Sequence, residues 1–320
     1  MRLVLSGIAT LTAFLAIGFI SFTIERKIIA QIQSRTGPTL HVSDPIKIFM
    51  KRPSQRQATF FSGILFLVLG SVVLLPWISV SHMGFIWLLF IPLFLTILLV
   101  FMDSNDGDPS PSAQDDTAPQ GTRHLSLSLL LSSQLLLFCS LASVFFIVPS
   151  WNLIEIARSQ SPVNWNLFHN PFIMVSGFLV LGVYSTYAKT ILVSYPSLSS
   201  HSQGIPFAIF HSTKYLILLS SAVLFVILYL GGFELPLIPI SVCPFFLQNF
   251  LYGLSFLIKL FLIYGLFMWV GHALPFSHVK DQANFYWRLT PIAFLSLLFC
   301  TFWMILFRGQ SLLDLVRGLW

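Results

Sequence analysis

Charge is what this sequence has least of. Only 9% of its residues are Asp, Glu, Lys or Arg, where a soluble domain carries about 25%. With 56% apolar residues, the chain has too little polar material to cover a water-facing surface, which excludes an ordinary soluble enzyme. Acidic side chains are the scarcest, 11 against 17 basic ones. The resulting charge of +6 does not point to nucleic acid. A nucleic-acid binder needs phosphate contacts on a soluble scaffold, whereas these basic residues punctuate apolar runs. Cysteine is nearly absent. Cys139, Cys243 and Cys300 each lie in an apolar run without CxxC spacing, so they read as small buried hydrophobes and not as a disulfide or metal site. No internal repeat is evident, which counts against many transporter folds.

Long apolar runs are what the chain has in abundance. Runs of roughly 18–25 apolar residues match the ~30 Å hydrocarbon core of a bilayer. They fall near 3–24, 59–80, 84–102, 125–149, 171–188, 214–233, 243–269 and 287–307. The predicted fold is therefore all-α: a polytopic membrane protein of about eight transmembrane helices, with residues 1–320 forming one membrane domain. The first run, Leu3 to Thr23, lacks a small-residue cleavage pattern before Glu25 and reads as a retained span. Pro76, Pro149, Pro171 and Pro291 fall at or near span ends. Trp77, Trp151, Trp165, Tyr187, Trp269 and Trp287 gather there too, as interfacial belts do.

Lys and Arg are distributed unevenly. Twelve fall in odd-numbered loops, seven of those between residues 26 and 56, against four in even-numbered loops and the tails. The positive-inside rule then puts the odd loops on the cytoplasmic or mitochondrial matrix side. Three connecting segments stand out: a basic loop at 25–58, an acidic Pro- and Ser-rich loop at 103–123, and a loop at 189–213. The acidic loop cannot bury enough apolar surface to fold alone. Asp103, Asp106 and Asp108 are spaced like the start of an EF-hand loop. No Glu closes it at the twelfth position and Pro109 interrupts it.

The basic loop reads ERKIIAQIQSRTGPTLHVSDPIKIFMKR from Glu25 to Arg52. Snorkelling of Lys and Arg to lipid headgroups accounts for its charge but not for its detailed order. The order E-R-K, Q-x-R-x-G-P and D-x-I-K-x-F-x-K is carried by Glu25, Arg26, Lys27, Gln33, Arg35, Gly37, Pro38, Asp44, Ile46, Lys47, Phe49 and Lys51. It resembles the first matrix loop of subunit 1 of NADH:ubiquinone oxidoreductase (respiratory complex I) and of its bacterial counterparts. WNLIEIARSQ, Trp151 to Gln160, resembles that family's N-L-x-E-I segment. FMWVGHALPFSHVKDQANFYWRLTP, Phe267 to Pro291, resembles its W-V-R-A-x-L-P signature through Trp269, Val270, Ala273, Leu274, Pro275, Asp281, Gln282, Trp287, Arg288 and Pro291. Lys259 also has a family counterpart.

The resemblance implies a core membrane subunit of an H+-translocating NADH:ubiquinone reductase. Such a subunit forms part of the quinone tunnel and carries no redox centre, with flavin and iron–sulfur clusters in partner subunits and ubiquinone as substrate. It implies no catalytic residue and no metal ligand in this chain. The expected partners are the hydrophilic quinone-site subunits, small membrane subunits and lipid, in the mitochondrial inner membrane with odd loops in the matrix. The tunnel candidates are Glu25, Arg26, Gln33, Arg35, Asp44 and Lys47, with Phe207 and Phe210 from a later loop. An ion-pair network bracing the loop against neighbouring subunits explains the charged set equally well.

The chain also departs from that family. The family loop after span five is rich in carboxylates, and the corresponding Thr186 to Tyr215 contains none. Aligned on Pro196, Ser194, Ser197 and Ser199 stand where the family has Asp or Glu; aligned on Phe207-Ala208, Lys214 stands where it has Glu; Gly271 and His272 stand near the family's Val-Arg-Ala step, where its Arg is lost. Partner subunits could supply the missing acids, His and hydroxyl groups with water could replace them, or coupling is altered. His201, His211, His272 and His278 are candidate proton relays near neutral pH, or polar side chains packing on partners. An independent transporter, a membrane subunit of a related hydrogenase-like complex, and a purely structural remnant are the competing readings.

Overall fold

The computed structural model describes Lys27 and residues 119–160, 165–194, 205–234, 245–274 and 279–307. Seven helices occupy these segments: α1 Pro119–Ile147, α2 Leu153–Ser159, α3 Asn166–His169, α4 Pro171–Ser194, α5 Ile205–Tyr229, α6 Phe245–Ala273 and α7 Val279–Leu306. Among the described residues there is no strand. Each of the last five expected spans coincides with one of the long helices α1, α4, α5, α6 and α7. The first three spans lie outside the described residues. Phe250–Ala273 and Lys280–Leu306 are long and apolar enough to cross a membrane, with shorter apolar stretches at Leu131–Ile147, Pro171–Thr186 and Leu218–Tyr229.

Helix is the form such sequences must take. Without water, backbone N–H and C=O groups have to be satisfied within the segment. The helices nevertheless overrun the apolar stretches. The expected loop 189–213 is helical at both ends, because α4 reaches Ser194 and α5 begins at Ile205, while α7 begins at Val279 instead of 287. Hydropathy marks where lipid-length apolar sequence lies. A helix continues past that point until its backbone finds a cap. Pro291, expected near an end, sits inside α7. It offers no N–H to the carbonyl one turn back, and the neighbouring Thr290 hydroxyl donates to the Tyr286 carbonyl at 2.8 Å.

Helix α4 is the centre of the bundle, packing against α1, α5, α6 and α7, and α1 lies along α7. Its start is specified locally. Asn170 accepts from the Ile173 N–H at 2.8 Å as N-cap, and Pro171 follows at the first helical position, where a missing N–H costs nothing. Val180, Val183 and Tyr184 of α4 meet Phe225 and Tyr229 of α5 and Phe267 of α6 in one buried cluster. Phe225 stacks on Tyr229 (4.9 Å) and meets Phe267 edge-on (5.9 Å). Small buried residues (Ser140, Ser143, Ser176, Ala222, Ala283, Ala293) let the axes approach, as membrane bundles require where burial from water cannot drive packing. Gly271 shows this most sharply, since a Cβ there would fall onto the Ser185 carbonyl oxygen. Gly271 is thus a contact between the α6 and α4 backbones.

The outer faces are apolar. Leu254, Ile258, Phe261, Leu262 and Trp269 of α6, and Leu295, Leu298, Phe302 and Ile305 of α7, are exposed at spacings of three to four residues. In water such stripes would drive association, but against lipid tails they carry no penalty.

Candidate functional site

The most heavily built polar site lies where α5 ends. Its backbone leaves the helix through Gly231 (φ 69°) and Gly232 (φ 52°), both left-handed, a conformation that side-chain-bearing residues rarely adopt. The Val226 carbonyl receives the N–H groups of both Leu230 (3.1 Å) and Gly232 (3.0 Å), a pairing that closes helix C-termini. The remaining carbonyls of Leu230, Gly232 and Glu234 converge on one cation. Lys259, from mid-α6, donates its Nζ to Leu230 O (2.7 Å), to Gly232 O (3.2 Å) and to Glu234 O. Its ammonium also lies 4.4 Å from the centre of the Trp165 ring. Lys259 is only 7% exposed, so its charge is stabilised by carbonyl dipoles, the negative end of α5 and a π face.

Two side-chain amides hold the cage from behind. Gln160 donates its Nε2 to Ile227 O (2.8 Å), with longer bonds to Ile156 O (3.2 Å) and Leu228 O (3.4 Å). Its Oε1 accepts from the N–H groups of Gly231 (2.8 Å) and Asn166 (3.1 Å). Asn166 Nδ2 donates to Leu228 O at 2.8 Å. The Gln160 side chain thereby ties the segment before α3 to the end of α5. The WNLIEIARSQ motif supplies the anchor. Asn152 caps α2 through Ile154 N–H (3.0 Å), Trp151 stacks on Phe145 (4.1 Å), Ser150 donates to the Glu155 carboxylate, and Leu153 and Ile156 are buried.

Deeper in the bundle, hydroxyls of three helices form a closed ring. Ser143 Oγ contacts Ser140 O (2.6 Å) and Ser176 Oγ (2.8 Å). Ser176 Oγ lies 3.4 Å from the Tyr229 hydroxyl, which donates to Ser140 O at 3.2 Å. The Ser176 hydroxyl also donates to the Ile173 carbonyl at 2.8 Å, and the network ties α1, α4 and α5 together. Thr186 and Tyr286 pair their hydroxyls between α4 and α7. Cys139 and Cys300 are buried free thiols, with Asn170 Nδ2 and Cys300 Sγ 3.6 Å apart.

Of the residues singled out from sequence, Glu25, Arg26, Gln33, Arg35, Asp44, Lys47, His201, His278 and Cys243 lie outside the described residues, as does the Asp103, Asp106 and Asp108 cluster. Lys27 is helical and exposed. Phe207, Phe210 and His211 fall in the first two turns of α5, so that stretch is helix and not the loop expected. His272 Nδ1 donates to Met268 O at 2.8 Å, a bond within its own helix. Among the described residues no three His, Cys, Asp or Glu side chains gather as metal ligands do. Lys259 was visible in the sequence as a mid-span charge, but its cage was not. Trp165, expected in an interfacial belt, lies instead under the ammonium. Gln160 and Asn166 were missed, although an uncharged amide closing the second motif was a readable signal.

A helical membrane bundle with a lysine caged at a broken helix end is the class of protein that fold and site define. Residues 199–301 match the family model described as NADH dehydrogenase. A bacterial relative from Carboxydothermus hydrogenoformans, itself one chain of an NADH-quinone oxidoreductase, is 24% identical over 57% of this chain, and the match spans 51% of its own length. The NADH-ubiquinone oxidoreductase chain 1 of Murina florium is 24% identical over 86% of this chain and 87% of its own. In fold, the chain is similar to one from the membrane-bound sulfane sulfur reductase, an archaeal respiratory membrane complex, with TM-score 0.72, 20% identity, and coverage of 94% and 100% of the two chains. The resemblance read from the sequence is supported in the same direction: the chain is similar to NADH dehydrogenase family proteins, among them a chain 1 of NADH-ubiquinone oxidoreductase.

Proposed function

We propose that this chain is a core membrane subunit of a proton-pumping NADH:ubiquinone oxidoreductase, where it forms part of the quinone tunnel and helps link quinone reduction to proton movement. The observation that carries the reading is the order of three motif matches, at 25–52, 151–160 and 267–291, joined by a family match over 199–301 that includes the whole of the third motif. The chemistry is consistent with it. An isoprenoid tail needs an apolar passage, and a headgroup that is transiently anionic on reduction needs fixed positive groups near its path. Arg26, Arg35 and Lys47 are suited to that task. In this reading the chain has no redox centre of its own, and flavin and iron–sulfur clusters reside in partners. Its place is the mitochondrial inner membrane, with the basic loop in the matrix.

A second reading, a membrane subunit of a related respiratory or hydrogenase-like complex with another electron acceptor, draws support from the carboxylate-free stretch Thr186 to Tyr215. Mild solubilisation followed by a native gel stained for NADH dehydrogenase activity separates the possibilities. Comigration with a large, inhibitor-sensitive NADH:quinone assembly is expected. Comigration with a large particle lacking that activity favours the second reading. A small inactive particle sinks both.

A further inference from the structure

The irregular backbone of residues 230–234 meets Lys259, the tenth residue of the apolar stretch Phe250–Ala273, about 13 Å along it at 1.5 Å per residue. Non-helical backbone at such a depth is tolerated only where it is buried in protein or lines a cavity. Where helices break inside a bilayer, unwound carbonyls and helix C-terminal ends characteristically coordinate a cation. Here the three carbonyls of Leu230, Gly232 and Glu234 point at one spot, with the Trp165 ring as a further wall. We propose that this cage is a receptor for a primary ammonium, which the chain keeps filled with its own Lys259 as a tethered ligand.

Three features of the geometry assign the occupant. Three carbonyl acceptors match the three N–H donors of an ammonium. The ring face favours a cation over a neutral amine. A lysine that carried protons would have to spend part of each cycle neutral, which would leave a buried carbonyl without its donor each time. Groups other than the lysine also hold the segment that carries the cage: Gln160 and Asn166 bond the last turn of α5 and the Gly231 N–H, Glu234 N–H donates to Gly231 O at 3.0 Å, and Ser255 Oγ donates to Glu234 O at 3.5 Å. An empty cage should therefore persist and accept a free ligand. The inference goes beyond the quinone reading, because it concerns what the α5–α6 junction binds, whatever the complex reduces.

The test is chemical complementation. Lys259→Ala removes from the side chain the three-carbon amine that n-propylammonium restores. The full-length variant, in its native membrane assembly, is extracted and its Tm measured with n-propylammonium chloride or, at equal concentration, tetramethylammonium chloride, which has the same charge and no N–H donors. A drop of several degrees in the variant, at least half recovered by propylammonium alone, is expected. Absence of recovery, or equal recovery with both salts, overturns the proposal. If the variant fails to accumulate, the same salts are supplied during its production. Accumulation with propylammonium alone supports the tethered-ligand reading, and failure with both salts overturns it. NADH:quinone activity is not read in any arm, so failure here leaves the functional reading untouched.

Discussion

The amide oxygen of Gln160 accepts the backbone N–H of Gly231 at 2.8 Å, across 71 residues of chain, and so fixes the left-handed exit from α5 that gathers three carbonyls around Lys259. Gln160 is 3% exposed, so water does not reach these groups freely in its place. Replacing it by Leu, of similar bulk, orphans the N–H groups of Gly231 and Asn166 and the Ile227 carbonyl. The expected cost is about 2–4 kcal/mol, since each buried orphan costs about 1–3 kcal/mol and relaxation recovers part. A chemical-denaturation or thermal series on the extracted protein checks it, and a loss below experimental error would contradict the assigned role.

Gly231→Ala is expected to be disruptive for two separable reasons. The left-handed backbone costs a side-chain-bearing residue about 1–2 kcal/mol, and a Cβ at this position would lie 2.8 Å from Cδ1 of Trp165. Combining it with Trp165→Ala should remove only the second cost. The double variant is therefore predicted to lose less than the sum of the two single variants, which a double-mutant cycle on Tm measures directly.

Gly271→Ala probes the α4–α6 contact. The obstructing atom is the Ser185 backbone carbonyl, which cannot rotate away as a side chain could. Overpacking of this kind costs about 1–3 kcal/mol. An Arg at the same position should be worse still and prevent accumulation, which immunodetection in membranes would reveal.

The hydroxyl ring predicts small, coupled effects. Tyr229→Phe and Ser143→Ala each remove hydrogen bonds while leaving most of the packing, and each is expected to cost about 1 kcal/mol. Because both act on Ser140 O and Ser176, their costs should not add. Proton-pumping stoichiometry in reconstituted vesicles is expected to be unchanged in both variants, as befits a network whose task is to hold three helices together. A lower stoichiometry would reassign the ring as part of a proton route.

The proposed quinone tunnel is addressed through Arg35. In the assembled enzyme, Arg35→Ala is expected to lower NADH:ubiquinone turnover about tenfold, the equivalent of one charge-assisted hydrogen bond of about 1.5 kcal/mol. Electron transfer from NADH to ferricyanide should stay unchanged. Equal loss in both assays would indicate defective assembly and count against the tunnel role.

Composition and the spacing of apolar runs determined the all-helical architecture and the positions of the five long described helices, because a segment in lipid has no alternative to internal hydrogen bonding. Residue order in three short motifs carried the resemblance to complex I subunit 1. Local chemistry such as Asn170-Pro171 and Gly231-Gly232 could also be read in advance, since capping and left-handed turns depend on neighbouring residues only. The cage around Lys259 could not be. Its ligands are main-chain carbonyls, which every residue possesses and which therefore leave no mark on the sequence. Its geometry depends on Gln160 and Asn166 reaching across some 60 to 70 residues to hold the last turn of α5 and the Gly231 N–H beside those carbonyls. The loss of the family's Arg near Gly271 was likewise visible in the sequence, but the Ser185 carbonyl pressed against the Gly271 α-carbon belongs to the packing of two helices. Tertiary structure alone decided that Lys259 is buried against three main-chain carbonyls, because burial and partnership are properties of space and not of order along the chain.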